Sequence, residues 1–421
     1  MNLPAEVNLR RTVKSFRSPQ DLAVVGCRPL FEKPLVVGKP NIGDRRAFNR
    51  HVSSVFRREW LSNFGPLTRE LEARLEGLLG VRHVVSVCNA TVGLEIAARA
   101  LALKGEVIVP SFTFVATAHA LKWLGLQPVF ADVDGTTHNL DPKAVRRCIT
   151  PRTSGILAVH IWGRPCVPDE LRELADEHGL KLLFDAAHAF GCSHNGRMIG
   201  SFGDCEVFSF HATKVFNTFE GGAITTNDEK LAARLREMSN FGFTGIDTTS
   251  GVGINGKMNE ACAAMGLANL ESYERVVDRN RANQRAYAGV LGKIPGIRLV
   301  EYDPGERANY HYVVAEIDSE GYGLSRDALY QICRAENIMV RRYFHPGCHG
   351  MEPYRSERDG SPCTPLGQTE RLCERVLVFP NGGSVTPSRI RRIGEFVEWL
   401  GAEARQRSEG FADVLGKCSR I

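Results

Sequence analysis

Seven short apolar runs recur along the first half of the chain, and they limit the folds open to it: "HVVSVC", "EVIVP", "PVFADV", "GILAVHIWG", "LKLLFDAA", "CEVFSF" and "GAITTN". Each is apolar along most of its length rather than alternating. That pattern belongs to strands buried on both faces. Helix-like stretches such as "TVGLEIAARALAL" and "PDELRELADEHG" lie between several of the runs. The alternation predicts a mainly parallel sheet with helices on both faces, an α/β fold.

The same patterning divides the chain. Residues 1–44 read as an N-terminal extension: "LRRTVKSFRSPQ" is basic and polar, and "RPLFEKPLVVGKP" is broken by prolines. Such a segment is either loose or packed along the surface of the body. A large domain is expected over 45–275, opening with "GPLTRELEARLEGLLG", where Leu67, Leu71, Leu75, Leu78 and Leu79 fall at helical intervals. A long helical stretch, "NEACAAMGLANLESYERVVDRNRANQRAYAGVLG", leads to a smaller α+β domain over 276–421, with strand-like "YHYVVAEI" and a closing helix, "PSRIRRIGEFVEWLGAEARQ".

Composition excludes several functions. A net charge of +5 over 421 residues is too mild, and too unclustered, for a nucleic-acid binder. No apolar run approaches the roughly 18 residues that span a bilayer. The N-terminus shows no apolar segment followed by a small-residue cleavage site. The twelve cysteines are scattered singly, with no Cys-x-x-Cys pair. That argues for reduced thiols in the cytoplasm, without a structural metal.

In open α/β sheets, ligands sit at the carboxyl ends of the strands, and three of the runs carry polar residues there. "SVCNATVG" is a strand, a turn of small polar residues and a helix start, which suits either an ordinary cap or a phosphate. In "LKLLFDAAHAFG", Asp185 follows an apolar strand, and a carboxylate so placed needs a cation or N–H donor. It could be a cap, a structural ion pair or a ligand. In "FSFHATKVFNTFEGGAITTND", Ser209, His211 and Lys214 follow another strand. A lysine desolvated there would lose its proton readily and attack carbonyls; the alternative is a surface loop. The Gly221–Gly222 pair after it implies close backbone approach. Phosphate cradle, carboxylate and amine together match pyridoxal phosphate. "PSFTFVAT" offers Phe112 and Phe114 to cover one face of the ring.

On "GPLTRELEARL", "SVCNATVGLEIA", "PSFTFVATAHAL", "PVFADVD", "FDAAHAFG", "FSFHATK", "EGGAITTND" and "GINGKMNEACAAMGL", the chain resembles the DegT/DnrJ/EryC1/StrS sugar aminotransferase family over roughly residues 45–400. The resemblance implies a fold-type-I enzyme dependent on pyridoxal 5'-phosphate and working as a homodimer. It would move an amino group, usually from glutamate, to a keto group of a nucleotide-linked sugar. Lys214 would hold the cofactor's aldehyde as a Schiff base and shuttle the proton, and Asp185 would pair with the pyridine nitrogen. Ala90 and Thr91, helped by Ser209, would bind the phosphate. Phe114 would stack on the ring. His188 stands near the ring hydroxyl, where many relatives have glutamine, and its charge state would add a pH dependence. Asn255 would reach the cofactor phosphate of the neighbouring subunit, so active sites would be shared. "MSNFGFTG" departs from the arginine and histidine that many relatives carry before its glycine. Some members replace the lysine with histidine and act as dehydratases; Lys214 favours transamination here.

"DAAHAFG" with "SFHATKVFNTFEGG" is most similar to the branch acting on dTDP-linked 3-keto-6-deoxy sugars. The loop "RRYFHPGCHGMEPYR", with Tyr343, His345, His349 and Tyr354, is expected either to face the substrate or to be an ordinary polar loop. Two other functions stay open: transfer to a keto-cyclitol or another natural-product ketone, and a regulator that binds the cofactor without turnover.

Overall fold

Each of the seven apolar runs is a strand, and all seven join one sheet. In this computed structural model, which describes residues 14–356 and 365–406 with Phe411, Val414 and Gly416, the strands are β1 (His83–Val87), β2 (Glu106–Pro110), β3 (Gln127–Ala131), β4 (Thr153–Val159), β5 (Lys181–Asp185), β6 (Cys205–Ser209) and β7 (Gly222–Thr226). Their order across the sheet is β1-β7-β6-β5-β4-β2-β3. Neighbours run parallel except at β7, which is antiparallel to both β1 and β6. This is the expected mainly parallel α/β sheet.

Every residue of β2, β6 and β7 is buried, because helices cover both faces. The two-residue period of a strand sorts its side chains between two cores. On β5, Leu182 and Phe184 join one core with Leu67, Leu71, Leu75 and Leu79, while Leu183 joins the other with Leu94, Val109 and Leu121. Leu71 and Leu75 are fully buried, and truncating such a leucine to alanine costs about 2–5 kcal/mol.

Three helices matter for the site: α1 (Ala90–Ala100) follows β1, α2 (Ala116–Trp123) follows β2, and α3 (Tyr273–Leu291) leaves the large sheet. Tyr273, Val276 and Val277 on α3 pack in the large core, whereas Tyr287 and Leu291 pack in a separate one. The boundary read at 275/276 therefore falls inside one helix. The second core surrounds an antiparallel sheet of β8 (Ile297–Leu299), β9 (Val313–Ile317) and β10 (Val376–Phe379).

From Lys14 onward the N-terminal extension is packed rather than loose. Leu22, Leu30, Phe31 and Leu35 are buried in the small-domain core, and Phe16 lies against Phe396 and Trp399. Glu336, whose side chain is fully buried, accepts hydrogen bonds from Lys14 Nζ and from the Ala23 and Leu30 backbone N–H groups. Nine described cysteines are free thiols, as expected; Cys148 departs from that reading and is disulfide-bonded. Among the described residues, no helix is long and apolar enough to cross a membrane.

Candidate active site

A cavity of about 680 Å³ opens at the carboxyl ends of the central strands. Seven of the eight expected residues line it: Ala90, Thr91, Phe114, Asp185, His188, Ser209 and Lys214. Asn255 lies outside this wall. It is exposed, bridges to Asn240, and accepts a hydrogen bond from Lys257 Nζ at 2.8 Å. Of the two aromatics, Phe112 is buried edge-on against His138 and Phe344, while Phe114 stands 59% exposed at the cavity.

Asp185 ends β5 and is buried. Its Oδ2 accepts from Thr117 Oγ1 on α2 at 2.8 Å, and its Oδ1 accepts from the Ala187 N–H at 3.0 Å. A carboxylate has about four acceptor positions, so capacity remains for a donor in the cavity. Burial pushes this carboxyl above its usual range, while the two hydrogen bonds and the charge of Lys214 pull it back.

Lys214 lies in the loop that joins β6 to β7, in a turn closed by its own N–H on the His211 carbonyl at 2.9 Å. The side chain is only partly exposed, and burial pulls the amine down to about 8 against the upward pull of Asp185. A lysine so tuned has a usable neutral fraction near physiological pH.

The cradle is built by the start of α1. Asn89 caps the helix, its side chain accepting from the Val92 N–H at 2.9 Å. The N–H groups of Ala90 and Thr91 have no partner among the described residues. They point out of a helix N-terminus, where anions are favoured. Gly222 shows why a glycine is needed beside them: a Cβ there would stand 2.7 Å from the Phe208 carbonyl and 3.0 Å from the Ala90 nitrogen. The close approach inferred from the glycine pair is thus to the cradle itself.

His188 differs from expectation in its charge. Burial holds its ring well below the usual imidazole range, so it is neutral and adds no protonation step near pH 7. Its Nδ1 accepts from the Trp162 N–H at 3.3 Å, which leaves the proton on Nε2 as a donor. Trp162 stacks on the ring and donates through its indole to His138 Nδ1 at 3.1 Å. His138 Nε2 in turn meets Glu316 on β9 at 2.7 Å.

The polar loop is mostly structural. Tyr343 lines the cavity, but His345, His349 and Tyr354 do not. His349 Nδ1 bonds Ser111 Oγ at 2.6 Å, and the Tyr354 hydroxyl bonds His119 at 2.9 Å. The sequence reading missed Thr117, Tyr312, Arg341 and Phe344. Thr117 sits one turn beyond Phe114 in an already conspicuous stretch, so helical phase could have found it. The other three reach the cavity from the small domain, and no local pattern marks them.

These residues fit pyridoxal phosphate: an under-used buried carboxylate for the ring nitrogen, a partly neutral amine for the aldehyde, a helix N-terminus for the phosphate, and an aromatic face left open at Phe114. The bound cofactor supplies an aldehyde that captures amines and a protonated heterocycle that withdraws electrons.

Comparison with known proteins agrees. The DegT/DnrJ/EryC1/StrS aminotransferase family profile matches residues 43–398. The chain is 37% identical over 352 residues to the dTDP-4-amino-4,6-dideoxy-D-glucose transaminase of Escherichia coli, covering 83% of this chain and 94% of that protein. It is 36% identical over 311 residues to the GDP-perosamine synthase of Caulobacter vibrioides, covering 70% and 80%. The crystal structure of DesI with its TDP-sugar product superposes with a TM-score of 0.88 at 49% identity, covering 93% of this chain and 98% of that one. The protein is an aminotransferase whose cofactor is pyridoxal phosphate, and the chain belongs to the DegT/DnrJ/EryC1/StrS aminotransferase family.

Proposed function

We propose that this enzyme moves the amino group of L-glutamate to the 4-keto group of a dTDP-linked 4-keto-6-deoxyhexose. The observation that carries the chemistry is one cavity holding the Lys214 amine and the Asp185 carboxylate. Lys214 would hold the cofactor's aldehyde and would take and return a proton at Nζ. Asp185 would keep the ring nitrogen protonated. Ala90, Thr91 and Ser209 would hold the phosphate, Phe114 would cover the ring and the His188 Nε2–H would donate toward the ring hydroxyl. The relatives support the acceptor class: the Escherichia coli protein is named for a dTDP-linked 4-amino sugar, and DesI was solved with a TDP-sugar product. They favour carbon 4 over the carbon 3 suggested by the local motifs.

We read the site as shared between two copies. Asn255 is exposed, and Phe241, Phe243, Ile246, Val252 and Ile254 expose large apolar side chains on the same stretch of chain. Large apolar side chains exposed together on one stretch are what a second copy would cover.

Glutamate added to the loaded enzyme should bleach its visible absorption. Mixing the product with 4-keto and 3-keto dTDP-hexoses then tests the acceptor: recovery with the 4-keto sugar supports the proposal, and recovery with the 3-keto sugar alone overturns the position. A band that persists with glutamate but bleaches with another amino acid would overturn the donor. Mixing Lys214→Ala with Asn255→Ala chains should restore part of the activity if sites are shared, and none if each chain is self-sufficient.

A further inference from the structure

Residues 35–43 run from the small domain to the lysine loop and touch the cavity's supports on the way. Leu35–Val36 pairs in parallel with Ile338–Met339, next to cavity residue Arg341, and the Val36 N–H donates to Ser384 Oγ at 2.7 Å. Val37 packs on the aromatic cluster that includes Tyr312 and Phe344. Gly38, at φ +70°, lies so close to Thr213 that a Cβ would stand 3.0 Å from that residue's Cβ and carbonyl oxygen.

Asn41 completes the strap. It is 9% exposed, its Nδ2 donates to the Val215 carbonyl at 3.0 Å, and its Oδ1 accepts from Arg279. Its own carbonyl accepts from Asn217 Nδ2 at 2.9 Å. Asn269 works from the other side, donating to the Asn217 carbonyl at 2.7 Å and accepting from the Gly43 N–H at 2.7 Å. The loop's internal bonds, Lys214 N–H to His211 and Thr218 N–H to Phe210, leave the Val215–Asn217 edge to these two asparagines.

We propose that Asn41 is a positioning residue for Lys214: by holding the Val215 carbonyl it fixes where the neighbouring amine stands in the cavity. The inference rests on the reading of Lys214 as the reactive amine. The chemistry asks for an amide, since one end must donate to a carbonyl while the other accepts from a guanidinium. Aspartate can only accept, and would set oxygen against oxygen at Val215. A displacement of about 1 Å at a reacting group can cost up to about 100-fold in rate.

The test compares Asn41→Asp with wild type and with Lys39→Ala, an exposed neighbour on the strap. In the cofactor-free chain, an acylating reagent applied across a pH series, with mass spectrometry of the Lys214 peptide, reads the amine's protonation. The wild-type midpoint is expected near 8. Asn41→Asp should move it upward toward an ordinary lysine, and in the loaded enzyme should lower kcat about tenfold with the donor KM within about twofold. Lys39→Ala should match wild type in both. Asn41→Ala removes the amide without repulsion and serves if the charged variant does not fold. A wild-type midpoint in a folded Asn41 variant overturns the proposal, whether or not its Tm falls. Absence of transamination in every variant, with the midpoint still shifted, would instead fault the proposed reaction and leave the positioning role standing.

Discussion

Thr117 donates its hydroxyl to Asp185 across 2.8 Å, although the two lie 68 residues apart. The helix after one strand thereby steadies the carboxylate at the end of another. A hydrogen bond to a charged group contributes roughly 1.5–3 kcal/mol. Thr117→Val should therefore lower kcat/KM about tenfold or more. Burial already raises the Asp185 carboxyl and this bond opposes it, so its loss raises the carboxyl further. The acid limb of the pH–rate profile should shift to higher pH, which kcat/KM measured across pH will show.

Lys214 makes the cofactor-free fold sensitive to alkali in an unusual direction. Its amine sits at about 8 when folded and 10.5 in the reference state, so the unfolded chain binds more protons between those values. Stability then rises with pH through that window, by up to about 3 kcal/mol. Below about 8 both states are protonated and the contribution is absent. Urea melts of wild type and Lys214→Met from pH 7 to 10.5 should diverge, with the rise lost in the variant. Lys214→Ala should also abolish turnover while still binding pyridoxamine phosphate.

Gly222→Ala tests the cradle. The added methyl would press on the Ala90 nitrogen and the Phe208 carbonyl, both backbone atoms with little freedom to move. Titrating the cofactor-free variant with pyridoxal phosphate should show at least about tenfold weaker binding, given the worth of a charge-assisted bond. Inorganic phosphate should compete less well than in wild type.

Glu336→Ala should release the N-terminal segment. It removes the carboxylate that Lys14 and two backbone N–H groups share, leaving Lys14 the Arg28 carbonyl. Breaking a buried ion pair from one side costs about 3–5 kcal/mol. The expected result is a lower Tm and faster proteolysis before residue 35, with little change in donor KM.

The strands were legible because each is apolar along most of its length, Asp185 because it ends such a run and Lys214 because it stands a few residues after one. The reversal of β7 was not legible, since "GAITTN" carries no mark of direction. The extension misled in another way: its charges and prolines masked Leu22, Leu30, Phe31 and Leu35, which anchor it in a core built otherwise from residues between Tyr287 and Val414. His349 and Tyr354 looked chemical only because Ser111 and His119, which satisfy them, lie far off in sequence. His188 read as a titrating group until its burial was visible.

The antiparallel placement of β7 has a consequence for how this enzyme can diverge. Ser209 and Gly222 face each other in register across adjacent strands, so the segment carrying the amine is a closed span with both feet on neighbouring rails. A parallel crossover tolerates added length, because its helix can slide or grow. An insertion in this span would leave the two feet in place and shift what lies between them, which is where the amine stands. A change of length would therefore displace the amine first, so new chemistry should arise at position 214 by substitution rather than by insertion.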